Sequence, residues 1–168
     1  MASWKANRNA SGKIDIRLHD VEGALFVLSN LSEGDHAEVV AATGRSPVLL
    51  LPELPKATYV VRLDGVPVAI YGCSRDDEGD HPWLLCTDGV KGNGRFMVRH
   101  GRVMLQKWHD NRGPLTNVVH SKNHSHIRFI KALGCTLGET RKRGPLLEYF
   151  TEFTYVPSST RRSTGNNI

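Results

Sequence analysis

The chain has 168 residues, a formal net charge of +5, 39% hydrophobic residues and 23% charged residues. That length suits one domain better than two, and the apolar share is enough for one sizeable core. No run approaches the roughly 20 apolar residues that a membrane helix needs. The opening MASWKANRNASGK has no apolar stretch of the kind a secretory signal carries, so the chain is expected to work in a cytoplasm.

Three cysteines, Cys73, Cys86 and Cys135, form an odd, widely spaced set. They read as reduced packing residues rather than a disulfide framework. Excess positive charge gathers at Arg141, Lys142 and Arg143, and again at Arg161 and Arg162. It suits anionic partners, whether cofactor phosphates, nucleic acid or an acidic protein face. Equally it suits a solvated surface.

Residues 1–12 are polar and read as a flexible end. KIDIRL (13–18) alternates, as a strand with one buried face does. Asp20 is placed to cap the helix that follows, DVEGALFVLSNL. A second short helix spans 35–42 and stops at Gly44. SPVLLLPELPKA is apolar but broken by three prolines, an irregular packed segment. Two β-rich runs, 58–63 and 66–71, flank Asp64-Gly65, and an Asp-Gly pair in that place predicts a hairpin. SRDDEGD then reads as an acidic loop, with Asp80 solvated. PWLLCT (82–87) is continuously apolar, as a central strand is.

DGVKGNGR (88–95) is a glycine-rich turn. From Arg95 to about Asp110, Met97, Val98, Met104, Leu105 and Trp108 recur at helical spacing, with Gly101 on the same face. Strand 115–119 follows. The helix 123–133 offers Ile127, Ile130, Ala132 and Leu133 to the core and ends at Gly134. Strands 136–140 and 146–155 lie around KRGP, and residues 157–168 have a disordered composition. The order β-α-α-β-β-β-α-β-α-β-β shows no repeat, and residues 13–156 read as a single domain.

Two segments carry chemistry. The turn Gly89-Val90-Lys91-Gly92-Asn93-Gly94-Arg95 lies between a strand and a helix. Glycines let backbone N–H groups converge on an anion, and the helix N-terminus adds unpaired donors. The second is Asn123-His-Ser-His-Ile-Arg-Phe-Ile-Lys-Ala-Leu-Gly134-Cys135. It resembles the final-helix motif of the GNAT acetyltransferases. With the glycine-rich turn upstream, the resemblance implies an α/β GNAT fold: a mixed central sheet with splayed parallel strands, flanked by helices. More narrowly, GVPVAIYG (65–72), PWLLCTDGV and above all Ser125-His126-Ile127-Arg128-Phe129 resemble the internal virion or core-assembly family of T7-like podophages, a divergent GNAT branch.

The resemblance implies acetyl-CoA as cofactor, with its arm between strands 82–87 and 115–119. Backbone N–H groups of Leu85, Cys86 and Thr87 would orient the thioester. Those of Val90, Gly92, Gly94 and Arg95, with the charges of Lys91 and Arg95, would hold the pyrophosphate. Asn123 would contact the pantetheine arm. The Tyr that protonates the leaving thiolate in such enzymes is replaced by Ile130, the aromatic after Leu-Gly by Cys135, and the residue opening the phosphate loop by Gly89. Cofactor binding is thus expected more readily than efficient transfer.

Candidate bases are His81, His120 and Asp80, though each reads more readily as a structural or surface group. His120, His124 and His126 do not make a metal site. The last two are about 200° apart on their helix, and zinc needs three or four converging ligands. The phage resemblance implies virion assembly in the host cytoplasm with other virion or core proteins, and the alternative is an acetyl-CoA-dependent N-acyltransferase. No membrane partner is expected, and no recognition helix or stacking motif supports nucleic acid.

Overall fold

The computed structural model describes residues 12–157, so the expectations for the two polar ends lie outside the described residues. β1 (Ile14–Leu18) leads to α1 (Val21–Ser29) and α2 (Glu33–Thr43). Asp20 caps α1, its Oδ1 accepting the Gly23 N–H, and its carboxylate also grips the Arg62 guanidinium at 2.7 Å. Gly44 ends α2 in the left-handed region. The proline-rich segment forms a 3-10 turn, Pro47–Glu53, with proline tolerated at its first position.

β2 (Tyr59–Leu63) and β3 (Val66–Asp76) pair as the expected hairpin. Asp64 and Gly65 both take positive φ, 50° and 82°, which lets the turn twist with its strands. The acidic loop is a correction. β3 runs on to Asp76 and β4 (Gly79–Cys86) starts three residues later, so Asp77 and Glu78 alone turn the chain. Polarity there marks a solvated hairpin tip, not a loop. Asp80 lies inside it, 4% exposed, between Arg75 at 3.0 Å and Arg112 at 3.3 Å. The Arg75 guanidinium holds its carboxyl below the usual carboxylate range. It is a structural anion rather than a solvated one.

A short 3-10 turn (Asp88–Val90) precedes α3 (Gly94–Arg112), then β5 (Leu115–His120), α4 (His124–Ala132), β6 (Thr136–Arg143) and β7 (Glu148–Tyr155). The last turn is Gly144–Leu147, two residues later than the KRGP reading, so the basic run Arg141–Arg143 lies in the exposed strand β6.

The sheet order is β1-β2-β3-β4-β5-β7-β6, antiparallel except for the parallel pair β4–β5. Helices cover both faces. α1 packs Ala24, Val27 and Leu28 on Val60 and Ile70; α3 packs Met97 and Met104 on Val61 and Tyr71. Alternate residues of β2 and β3 thus serve opposite cores, which is why their sequences read as unbroken apolar runs. In α4, Ile130 and Leu133 are buried and Phe129 packs inward, while Ala132 faces out.

α3 and α4 approach closely at Gly101, where a Cβ would stand 2.7 Å from the Leu133 Cδ2. Gly101→Val should therefore force apart two packed helices. An unfolding free energy lower by about 1–3 kcal/mol is expected in urea titrations.

Candidate functional site

The site begins where the two parallel strands part. β4 and β5 pair in register at Asp80–Leu115, near the start of both strands, and carry no further backbone pairing. Side chains clasp the base of the resulting V. Asn117 Nδ2 donates to the Pro82 carbonyl at 3.0 Å, and His81 Nδ1 meets the Thr116 carbonyl at 2.7 Å. His81 Nε2 meets Asp76 Oδ1, also at 2.7 Å. Both partners are acceptors, so the geometry favours a proton on each ring nitrogen, the imidazolium form. Burial opposes that charge, but the Asp76 and Thr116 acceptors outweigh it and raise the pKa. To act as a base, His81 would first have to give up one of these bonds.

The mouth of the V is spanned by α2. Asp35 and Glu38 lie three residues apart on one face of that helix. Asp35 Oδ2 accepts the Cys86 N–H at 2.6 Å, at the end of β4. Glu38 Oε2 accepts the His120 N–H at 3.0 Å, at the end of β5. Asn123, 4% exposed, joins the two: its Nδ2 donates to Asp35 Oδ1 at 3.0 Å and to Glu38 Oε2 at 3.1 Å. Its Oδ1 caps α4 by accepting the His126 N–H. His126 Nδ1 stands 3.3 Å from Asp35 Oδ1. Burial pushes the Glu38 carboxyl above its ordinary range, and burial with the Asp35 charge pushes the Cys86 thiol far up.

Several sequence-assigned groups are therefore engaged. The Cys86 N–H serves Asp35, and the Thr87 N–H serves the Val68 carbonyl at 2.9 Å. Leu85 is paired with Ile70 across β3–β4. His120 is 4% exposed, with Nε2 3.0 Å from Glu148 Oε2 and its ring edge-on to Phe150. Asn123 faces the carboxylates rather than open space. Ile130 is buried against Val119 and Phe153.

The glycine-rich turn is more open. The Val90 N–H bonds the Thr87 carbonyl at 3.4 Å, and Lys91 pairs with Asp88 at 3.1 Å. Gly92 takes φ 87°, and a Cβ at Gly92 or Gly94 would meet nothing within 4 Å. Asn93 sits at the N-cap of α3 without a side-chain cap bond, and the first turn carries no acidic residue. The leading N–H groups of α3 thus face solvent beside the exposed Arg95.

Because β4 and β5 are parallel, this turn and Asn123 lie on the same edge of the sheet, flanking the opening. A cavity of about 430 Å³ passes through it, touching Val39 on the α2 side, Trp83, Leu85 and Val118 in the gap, and Met104 and Phe129 beyond. Tyr71 and His100, also on its wall, share a 2.6 Å hydrogen bond. Burial raises the tyrosine pKa and lowers that of the histidine, so both are neutral. Asp35, Glu38, Tyr71 and His100 escaped the sequence reading. The one signal available for the carboxylates was their i, i+3 spacing on a helix otherwise rich in Val and Ala.

The strand order, the splayed parallel pair and the glycine-rich turn leading into an open helix N-terminus are those of the acetyltransferase-like GNAT fold. Solved structures agree. The ribosomal-protein-S5-alanine acetyltransferase of Vibrio fischeri superposes with a TM-score of 0.60 at 16% identity, covering 86% of this chain and 93% of that one. AAC(6')-Ib in complex with ribostamycin and coenzyme A gives 0.64 at 12%, covering 92% and 99%. The putative acetyltransferase yncA of Salmonella typhimurium, with its cofactor acetyl-CoA, gives 0.59 at 15%, covering 84% and 92%. At such identities the likeness concerns the fold alone. No family model matches the chain. In sequence it is 32% identical over 110 residues to the "Probable scaffold protein gp13" of Escherichia phage T7, spanning 60% of this chain and 74% of that protein. The chain belongs to the family of that T7 protein.

The His81 clasp makes a pH prediction. Its pKa is raised on folding, so its stabilisation is complete below the ordinary 6.5 and fades as pH rises through the folded value. The loss of melting temperature in His81→Gln should be larger at about pH 5.5 than at about pH 8.5. Equal losses at both would mean that the proton is not what holds the clasp.

Proposed function

We propose that this chain is a phage assembly protein that uses the GNAT fold as a binding scaffold, with acetyl transfer degenerate. It would act in the host cytoplasm with other virion or core proteins. Kinship to a scaffold protein supports the assembly role. The observation that carries the loss of catalysis is the Asp35 carboxylate on the Cys86 N–H. A donor that would stabilise a thioester oxyanion is already bound to an anion, and a second anion placed there would be repelled. Ile130 removes the tyrosine acid as well, and His81 and His120 are tied to carboxylates.

One observation favours a second reading, an acetyl-CoA-dependent N-acyltransferase. The open N-terminus of α3, Gly92 and Gly94, the charges of Lys91 and Arg95, and the cavity through the sheet together suit a pyrophosphate with a thin arm. In that reading Asn123 and the N–H groups of Leu85, Cys86 and Thr87 become available only after Asp35 moves aside.

Calorimetry with acetyl-CoA separates the two. The scaffold reading expects no stoichiometric heat at about millimolar ligand. It also expects normal particle yield from phage carrying Gly94→Glu, whose side chain enters open space at the cradle. Micromolar binding that Gly94→Glu abolishes, with a matching loss of infectious particles, would overturn it in favour of the enzyme.

A further inference from the structure

Asp35, Cys86 and His126 come from α2, β4 and α4, separated by 51 and 40 positions in the chain. One ligand atom from each lies within 4.8 Å of the others. Asp35 is 3% exposed, Cys86 7%, and the His126 side chain 13%. We propose that these three side chains form a buried zinc-binding site at the mouth of the β4–β5 cleft, with Glu38 or a water completing four ligands.

The chemistry of the set suits zinc, which takes thiolate, imidazole and carboxylate together. The spacing suits it too. Two ligands each about 2.0 Å from a tetrahedral ion stand about 3.3 Å apart, and Asp35 Oδ1 and His126 Nδ1 are 3.3 Å apart. A thiolate about 2.3 Å from the ion would lie about 3.5 Å from each of them. Closing from the present separation takes movement of under about 1.5 Å, within the reach of side-chain rotation.

Charge points the same way. Two carboxylates and a thiol lie around one imidazole, whose Nδ1 stands 3.3 Å from Asp35 Oδ1 and 3.2 Å from Asn123 Nδ2, the amide that an ion at Nδ1 would displace. Its Nε2 is buried without a hydrogen-bond partner among the described residues. A divalent ion bound at Nδ1 would offset the Asp35 carboxylate and the Cys86 thiolate together.

Support around the ligands is already in place. The Cys86 N–H holds Asp35 Oδ2, and Asn123 Nδ2 orients Asp35 and Glu38. Such outer bonds fix ligand orientation in metal sites. On binding, the Cys86 S–H bond breaks, the sulfur bonds zinc, and the proton leaves to buffer. The ion would pin α2 and α4 to the end of β4 and close the cleft. The site stands apart from the proposed assembly function, since the scaffold reading survives with or without it.

The test uses the full chain, untagged and stripped with chelator, titrated with Zn2+ and separately with Co2+. One equivalent of Zn2+ should bind and raise the melting temperature. Co2+ should give a thiolate-to-metal charge-transfer band in the near ultraviolet. Cys86→Ser should remove that band, and His126→Gln should weaken Zn2+ binding at least about tenfold. His126 is the most accessible of the three, its side chain 13% exposed, so that variant stays informative even where the Cys86 change costs folding, which circular dichroism reads. A band that survives Cys86→Ser, affinity unchanged in folded His126→Gln, or no bound metal in the folded wild-type chain would each overturn the site.

Discussion

The structure depends on how the open end of the β4–β5 gap is held. Two parallel strands that part after a single backbone pair leave N–H groups aimed at nothing, and unpaired buried N–H groups cost about 1–3 kcal/mol each. Asp35 and Glu38 answer this from one face of α2, one carboxylate to each strand end, with Asn123 tying them together. Charged acceptors make these bonds stronger than the ladder bonds they replace. The same contacts fix where α2 and α4 sit, so the cleft, the cavity and the relation of the helices follow from them.

That arrangement also bears on what an acetyltransferase-like architecture can do here. The fold supplies a splayed sheet and an open helix N-terminus whether or not catalysis occurs, because both arise from topology. Transfer needs something more specific: unoccupied donors at the thioester and a proton source for the thiolate. Here the Cys86 N–H is bound to Asp35, and Ile130, where the GNAT resemblance would put the acid, is buried against Val119 and Phe153. A cleft whose strand-end donors already hold carboxylates, beside an exposed basic edge strand, suits docking, in line with the kinship to a phage scaffold protein.

Much of the architecture was legible in the residues. The Asp64-Gly65 turn, the apolar spacing of α3 and the Asn123–Gly134 segment each rest on local rules of backbone geometry and periodicity, and each lies where those rules put it. The failures share one cause. The Ser74–Asp80 stretch looks like a loop because its side chains are polar, yet hairpin tips are polar too, and only the pairing of Arg75 with Asp80 across the strands distinguishes them. Asp80 looked solvated because its partner Arg112 lies 32 positions away.

Sequence by itself determined the element order, the hairpin, the faces of the long helix and the family resemblance, since these depend on neighbours within a turn or two of chain. Tertiary structure alone decided what the polar groups around the cleft do. Asn123 turns to Asp35 across 88 positions, and Asp35 reaches Cys86 across 51. Hydrogen bonds act over about 3 Å of space and carry no trace in spacing along the chain. Whether a donor waits for a ligand or already holds a carboxylate is therefore written only in the folded molecule.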